Sequence, residues 1–193
     1  MHTITVGTQG RLCNQIIRNI AVSLIACKNN LYVEYYNYDK IAKLGIRLYI
    51  GEQKFDTTSI INDNNYMDFY NNTIDCNLNA NKAYFQGNQV IKLVYNYLQS
   101  QKENIILMNP FKNRYNNNND LFVHVRLGDA KKHSPGLEYY ISAIKKLNYD
   151  KIYIGSDQLN NVMIKRIQQK IKNCELVKLD EIETIQFAST CKH

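Results

Sequence analysis

Apolar residues recur along the chain at two spacings, and each spacing predicts a different element. In the second half, short β-branched and aromatic runs predict strands over residues 121–126, 151–155 and 175–179. Helical spacing predicts helices over residues 138–147, 158–171 and 181–190. Strands that alternate with helices of this length are typical of a parallel sheet with right-handed crossovers, so we predict a Rossmann-like second half.

The first half begins with a similar pattern and then becomes less regular. A β-prone run at 3–6, a helical apolar pattern from Asn14 to about Asn29, and a second run at 31–35 predict a β-α-β unit. Further along, the pattern predicts a short helix over 39–44, extended segments at 46–50 and 83–85, and a helix over 89–101.

A polar segment separates the two halves. Pro110 and the asparagine-rich residues 112–120 are typical of a linker. We therefore predict an α/β protein with two Rossmann-like halves, which are a domain over residues 1–112 and a second domain over residues 113–193.

Composition narrows the class of protein and its partners. With 193 residues the chain can bury a real core, and its net charge of +7 suits an anionic partner such as a sugar nucleotide. The lysines are spread over several helices, so nucleic-acid binding is only a lesser alternative. Five cysteines without a C-x-x-C pair indicate a reducing compartment and no structural metal, and no signal peptide or membrane span is evident. We expect a soluble, cytoplasmic protein, with peripheral membrane association as an alternative.

The clearest candidate chemistry follows the strand predicted at 121–126. His124, Arg126, Gly128 and Asp129 lie at its carboxyl end, the edge at which open α/β sheets bind ligands. The planar guanidinium of Arg126 matches phosphate oxygens, and Asp129 can orient it. We interpret this as an anion site, most simply for a diphosphate. The alternative is a surface ion pair beside a buried core histidine.

Two further turns carry polar groups at predicted strand ends. Ser156 and Asp157 follow the strand predicted at 151–155, and Asp157 either caps the next helix or accepts hydrogen bonds from a guanine base. Gly10, Arg11 and Asn14 follow the first strand, where free backbone N–H groups attract phosphate or sugar hydroxyls. The alternative for this turn is that Asn14 caps the helix and Gly10 makes the bend.

Three motifs in order resemble those of one enzyme family. Gly10-Arg11-Leu12-Cys13-Asn14-Gln15 resembles the GRLGNQ motif of the α-1,2-fucosyltransferases, glycosyltransferase family 11. His124-Val125-Arg126-Leu127-Gly128-Asp129 resembles their HVRRGD motif, and residues 139–144, 152–157 and 191–193 follow the family's later order. The similarity covers nearly the whole chain.

The resemblance implies two Rossmann-like domains of the GT-B type, GDP-fucose bound between them, and metal-independent transfer to a glycan hydroxyl with inversion. Arg126 would hold the β-phosphate with Asp129 orienting it, and these two are the candidate catalytic residues. The donor-binding set would be Gly10, Arg11, Asn14, His124, Arg126, Ser156 and Asp157. For the acceptor base, Asp129, His133 and Glu138 are candidates by position.

Two positions differ from the family motifs, and the chain is shorter than the family's sequences. Cys13 replaces a glycine, and Leu127 replaces a second arginine. In the family, the equivalent of residues 190–193 leads into another strand and a loop that completes the donor pocket. We therefore expect the second domain to be incomplete, and we keep an inactive or truncated nucleotide-sugar-binding module as the alternative function.

Overall fold

The protein is described from a computed structural model that covers residues 1–7, 10–129 and 131–193. The chain forms two compact units, Met1–Asn109 and Pro110–His193, whereas the sequence places the boundary after residue 112. Each unit is an α/β structure, and all strand pairs in the described part of the chain are parallel. The predicted α/β class with parallel sheets is confirmed.

Unit 1 contains a four-stranded sheet in the order β2-β1-β4-β3. Its strands are β1 (Thr3–Ile4), β2 (Val33–Glu34), β3 (Thr58–Ile60) and β4 (Asn77–Asn79). Its helices are α1 (Leu12–Asn29), α2 (Tyr38–Lys43), α3 (Tyr66–Asn71), α4 (Asn88–Ser100) and α5 (Lys102–Met108). The helix α1 is the main buried element, because Ile20, Ala21 and Ile25 on it are fully buried.

The middle of the chain was predicted only in part. The helices predicted over 39–44 and 89–101 are α2 and α4, whereas β3, β4, α3 and α5 were not predicted. The segments predicted as extended at 46–50 and 83–85 belong to no strand, and Phe85 has a φ of +54°, outside the extended region. The strand β4 is central in the sheet but reads Asn-Leu-Asn, so it carries no apolar run. The side-chain amide of the buried Asn77 donates hydrogen bonds to the carbonyls of Phe55 and Thr57. A pattern of apolar positions cannot predict partners this far apart in the sequence.

Unit 2 contains a three-stranded sheet in the order β5-β6-β7. The strands are β5 (Leu121–Val125), β6 (Ile152–Ser156) and β7 (Cys174–Leu176), and the helices are α6 (Leu137–Ile144), α7 (Val162–Lys170) and α8 (Glu181–Ala188). All six were predicted, with ends that differ by a few residues. The far edge of β5 pairs with the last residue, since His193 N–H donates to the Asp120 carbonyl at 3.1 Å and Phe122 N–H donates to the His193 carbonyl at 2.9 Å.

The core of unit 2 lies between its sheet and its helices. Buried aliphatic side chains from β5, β6, α6 and α7 form one cluster, which includes Val125, Ile154 and Ile164, and Leu127 joins it from the turn after β5. Cys174 on β7 packs against this cluster from a partly buried position. Burial raises the pKa of the Cys174 thiol to about 11, because a thiolate there would lose its hydration.

This pKa predicts slow reaction of Cys174 with iodoacetamide. At neutral pH little of the thiol is ionised, so we expect alkylation at least about tenfold slower than at the exposed Cys27. The rate at Cys174 should rise about tenfold for each pH unit below the pKa, because the thiolate fraction rises tenfold. Peptide mass spectrometry of timed samples measures both rates, and equal rates at neutral pH would contradict the prediction.

Candidate functional site

The strand β5 places one polar ring on an exposed position between buried neighbours. Leu121 and Val125 are buried, whereas His124 is exposed. The alternative that His124 is a buried core histidine is therefore wrong. His124 lies opposite Gly155 on β6, and a Cβ atom at Gly155 would lie 2.7 Å from the Phe122 ring. The glycine thus leaves room for the Phe122 ring beside β6.

Directly after β5, Arg126 and Asp129 form a two-point contact. Arg126 Nε donates to Asp129 Oδ1 at 3.1 Å, and an Arg126 terminal nitrogen donates to Asp129 Oδ2 at 2.8 Å. The hydrogen bonds that Arg126 donates to Asp129 raise the pKa of Arg126, and the charges of Asp129 and Asp157 raise it further. The side chains are 42% and 57% exposed, so the pair adds little to stability. Its effect is to hold a cation with further N–H donors at the strand end.

Asp157 joins the turn after β6 to the turn after β5. Its Oδ1 accepts from the backbone N–H of Leu127 at 2.8 Å, and its two oxygens accept from that of Gly128 at 3.2 and 3.1 Å. Asp157 does not cap the next helix, because Asn161 does so by accepting from Met163 N–H. This explains why α7 begins four residues later than predicted. Asp157 is exposed, and its role toward a guanine base stays a prediction.

Two other predicted residues of unit 2 have local partners. The Ser156 hydroxyl accepts from Gln158 N–H at 3.0 Å and so shapes the turn that carries Asp157. Glu138, a candidate acceptor base, accepts a hydrogen bond from Lys170 at 2.9 Å. His133 is exposed. The structure therefore brings His124, Arg126, Asp129, Ser156 and Asp157 to the carboxyl ends of two adjacent parallel strands.

Leu127 lies on the opposite side of this turn from Arg126. Its side chain is only 1% exposed and belongs to the apolar core of unit 2, whereas Arg126 is 42% exposed. An arginine at position 127 would therefore enter the core of this chain. Because position 127 is a buried leucine, Arg126 and Asp129 are the charged side chains that this turn exposes.

In unit 1, the turn after β1 is held by side chains of α1. Gly10 has a φ of +77°, and a Cβ atom there would lie 2.5 Å from Asn14 Cβ, so only glycine fits. Gln15 Nε2 donates to the Gly10 carbonyl at 2.9 Å. Arg11 is exposed and precedes the helix without a side-chain capping bond. Asn14 lies in the first turn of α1, so the alternative that it caps the helix is wrong; Gly10 does make the bend.

Three further residues lie near the glycine turn or in the loops that contact it, and the sequence did not predict them. Arg18 is fully buried, and its guanidinium donates to the carbonyls of Ala83 at 3.0 Å, Gly7 at 3.2 Å and Thr5 at 3.4 Å. Asp63 and Gln86 join the same edge from distant loops. A signal was present for Arg18, because it lies four positions after Asn14 and so shares a face of α1 with it. Asp63 and Gln86 carry no such signal.

Comparison of the chain with protein-family models, with curated proteins and with solved structures finds no match in any of the three. In the described residues, no three His, Cys, Asp or Glu side chains are arranged to hold a metal ion. None of the described helices is both long enough and apolar enough to cross a membrane.

Proposed function

We propose that the protein is a fucosyltransferase of the GT-B type that transfers fucose from GDP-fucose to a glycan hydroxyl, with inversion and without a metal. The observation that carries this proposal is the exposed Arg126 guanidinium, held by Asp129 at the carboxyl end of β5. The order of the three motifs supports it. An oriented guanidinium at such an edge is suited to the oxygens of a diphosphate.

In the proposed reaction, the bond between fucose C1 and the β-phosphate oxygen breaks while the acceptor oxygen bonds to C1 from the opposite face. The acceptor hydroxyl gives its proton to a base, and GDP leaves with the electrons of the broken bond. Arg126 would neutralise the charge that builds on the β-phosphate. Electrostatic stabilisation of this kind contributes several kcal/mol to a transition state.

The other residues of the edge would bind the donor. Asp157 would accept hydrogen bonds from guanine, since a carboxylate oxygen has acceptor capacity beyond its backbone partners. His124 is exposed on the same strand as Arg126 and would contact the nucleotide. Ser156 would shape the turn that carries Asp157, and Gly10, Arg11 and Asn14 would contribute further donor contacts. These roles follow the family resemblance.

Titration calorimetry with GDP, GDP-fucose and UDP-sugars tests the proposal. We expect binding restricted to guanosine diphosphates, and Arg126→Ala should weaken it by about 30-fold or more, because a charge-assisted bidentate contact is lost. The matched control is Arg166→Ala, which removes an exposed arginine of α7 from the same unit. Equal GDP affinity in wild type and Arg126→Ala would contradict the role of Arg126.

Turnover separates the proposal from its alternative. Release of GDP from GDP-fucose in the presence of glycan acceptors would support a transferase. Binding of GDP that depends on Arg126 but is never followed by turnover would favour an inactive nucleotide-sugar-binding module. Salt-sensitive binding to RNA that is indifferent to GDP and to Arg126→Ala would favour a nucleic-acid-binding protein instead.

A further inference from the structure

We propose that Gln86 is a positioning residue that fixes the side-chain amide of Asn14 as a hydrogen-bond donor to a sugar hydroxyl. The inference rests on the proposed function, in which Asn14 contributes to donor binding. Gln86 itself belongs to none of the three motifs, and it lies 72 positions from Asn14 in the sequence. Its role is therefore visible only in the folded chain.

A hydrogen bond from Gln86 decides which end of the Asn14 amide is available. Gln86 Nε2 donates to Asn14 Oδ1 at 3.1 Å, so the carbonyl end of Asn14 is occupied. The amino end faces the glycine turn, since a Cβ atom built on Gly10 would lie 2.6 Å from Asn14 Nδ2. An amide held in this way offers N–H groups, which require an oxygen acceptor on the ligand.

Two side chains from other segments of the chain hold the loop that carries Gln86. Asp63 accepts from Gln86 N–H at 2.9 Å and from Tyr84 N–H at 3.4 Å. Arg18, fully buried, donates to the Ala83 carbonyl at 3.0 Å. The loop backbone is thus tied by a carboxylate from one segment and a guanidinium from another.

Between these anchors, Phe85 adopts a backbone conformation that a large side chain rarely takes. Its φ is +54°, in the left-handed region. Its side chain is fully buried, and its ring centroid lies 5.2 Å from that of Tyr66. Such a conformation persists only when the surroundings hold it. With Phe85 turned inward, its neighbour Gln86 is exposed and reaches Asn14.

The chemistry of this cluster favours a sugar over a phosphate. Asn14 and Gln86 are neutral amides, which hydrogen-bond well to neutral hydroxyls. A phosphate group is matched better by a guanidinium such as that of Arg126. A sugar hydroxyl can accept a hydrogen bond from the Asn14 amide without a charged partner.

A double-mutant cycle on the full chain tests the inference, with calorimetric titration of GDP and GDP-fucose as the probes. We expect Gln86→Leu to weaken GDP-fucose binding by about tenfold, the size of one hydrogen bond, while GDP affinity stays within about twofold. In an Asn14→Ala background the same change should cause no further loss, because Gln86 acts through Asn14. A residue that only stabilises the fold would not show this dependence.

A near-isosteric variant and a matched control sharpen the test. Gln86→Glu keeps the size of the side chain but cannot donate to Asn14 Oδ1, so we expect it to weaken GDP-fucose binding as much as Gln86→Leu does. Gln89→Leu changes another exposed glutamine at the start of α4 and should have no effect. Thermal unfolding should show that all variants fold, since both glutamines are exposed.

The outcomes separate the two proposals. Normal GDP-fucose affinity in Gln86→Leu, or a further loss in the Asn14→Ala background, would overturn the role of Gln86 while leaving GDP binding and the proposed function intact. Failure of the wild-type chain to bind either nucleotide would overturn the proposed function, and the positioning role with it.

Discussion

Leu127→Arg is expected to lower the free energy of unfolding of unit 2 by on the order of 4 kcal/mol. Leu127 is 1% exposed among aliphatic side chains such as Val125, Ile141 and Ile154. A guanidinium at this position must either enter that core or force the turn that follows β5 to open. Urea unfolding followed by circular dichroism measures the loss.

The control for this prediction is Leu147→Arg, which adds the same charge to unit 2 at a side chain that is 42% exposed. We expect it to change the free energy of unfolding by less than about 1 kcal/mol. A wild-type unfolding midpoint in Leu127→Arg would contradict the burial of this side chain. Tighter GDP binding in Leu127→Arg would show that an arginine there reaches the nucleotide, against the geometry of the turn.

Arg18→Met is expected to destabilise unit 1 by on the order of 4 kcal/mol. The side chain has a similar length, but it leaves the carbonyls of Thr5, Gly7 and Ala83 without the donors that Arg18 supplies. Burial lowers the pKa of Arg18, although arginine stays charged at any ordinary pH. Removing a buried cation while its acceptors remain is costly, whereas replacing both sides together need not be.

The effect of Arg18→Met can be located as well as measured. Hydrogen exchange should show lost protection in the segment that follows β1 and in the loop that contains Ala83, because Arg18 joins these two segments. The control is Arg47→Met, an exposed arginine of the same unit that donates to Asn104 at 3.1 Å, and it should cost less than about 1 kcal/mol. An equally small effect at both positions would contradict the structural role of Arg18.

The candidate edge of unit 2 was largely predictable because its residues are close in sequence. Arg126 and Asp129 are three positions apart after a clear apolar strand, so the contact between them follows from a single tight turn. The regular alternation of strands and helices likewise predicted that Asp157 and Arg126 follow adjacent parallel strands. The hydrogen-bond partners of Asp157 could not be predicted. They are backbone N–H groups, which every residue except proline has and which therefore leave no mark in the sequence.

The edge of unit 1 was less predictable because its partners come from distant loops. The glycine turn was recognised from Gly10, but Gln86 and Asp63 lie in a region whose apolar pattern is weak. That region also contains the central strand β4, in which Asn77 is buried through hydrogen bonds rather than through apolar contacts. Patterns of apolar residues report burial in water-excluding cores, and they do not report buried polar groups that are satisfied at long range.

By itself, the sequence determined the α/β class, the parallel order of strands and helices in the second half, the bend at Gly10 before the first helix, and the positions of Arg126 and Asp129 after a strand. These follow from local periodicity and from turns of a few residues. Only the tertiary structure decided that Leu127 packs in the core, that Asp157 binds the turn after β5, and that Arg18 donates to the backbone of the loop that carries Gln86. Each of these depends on contacts between segments far apart in the chain, which form only when the sheets and helices pack.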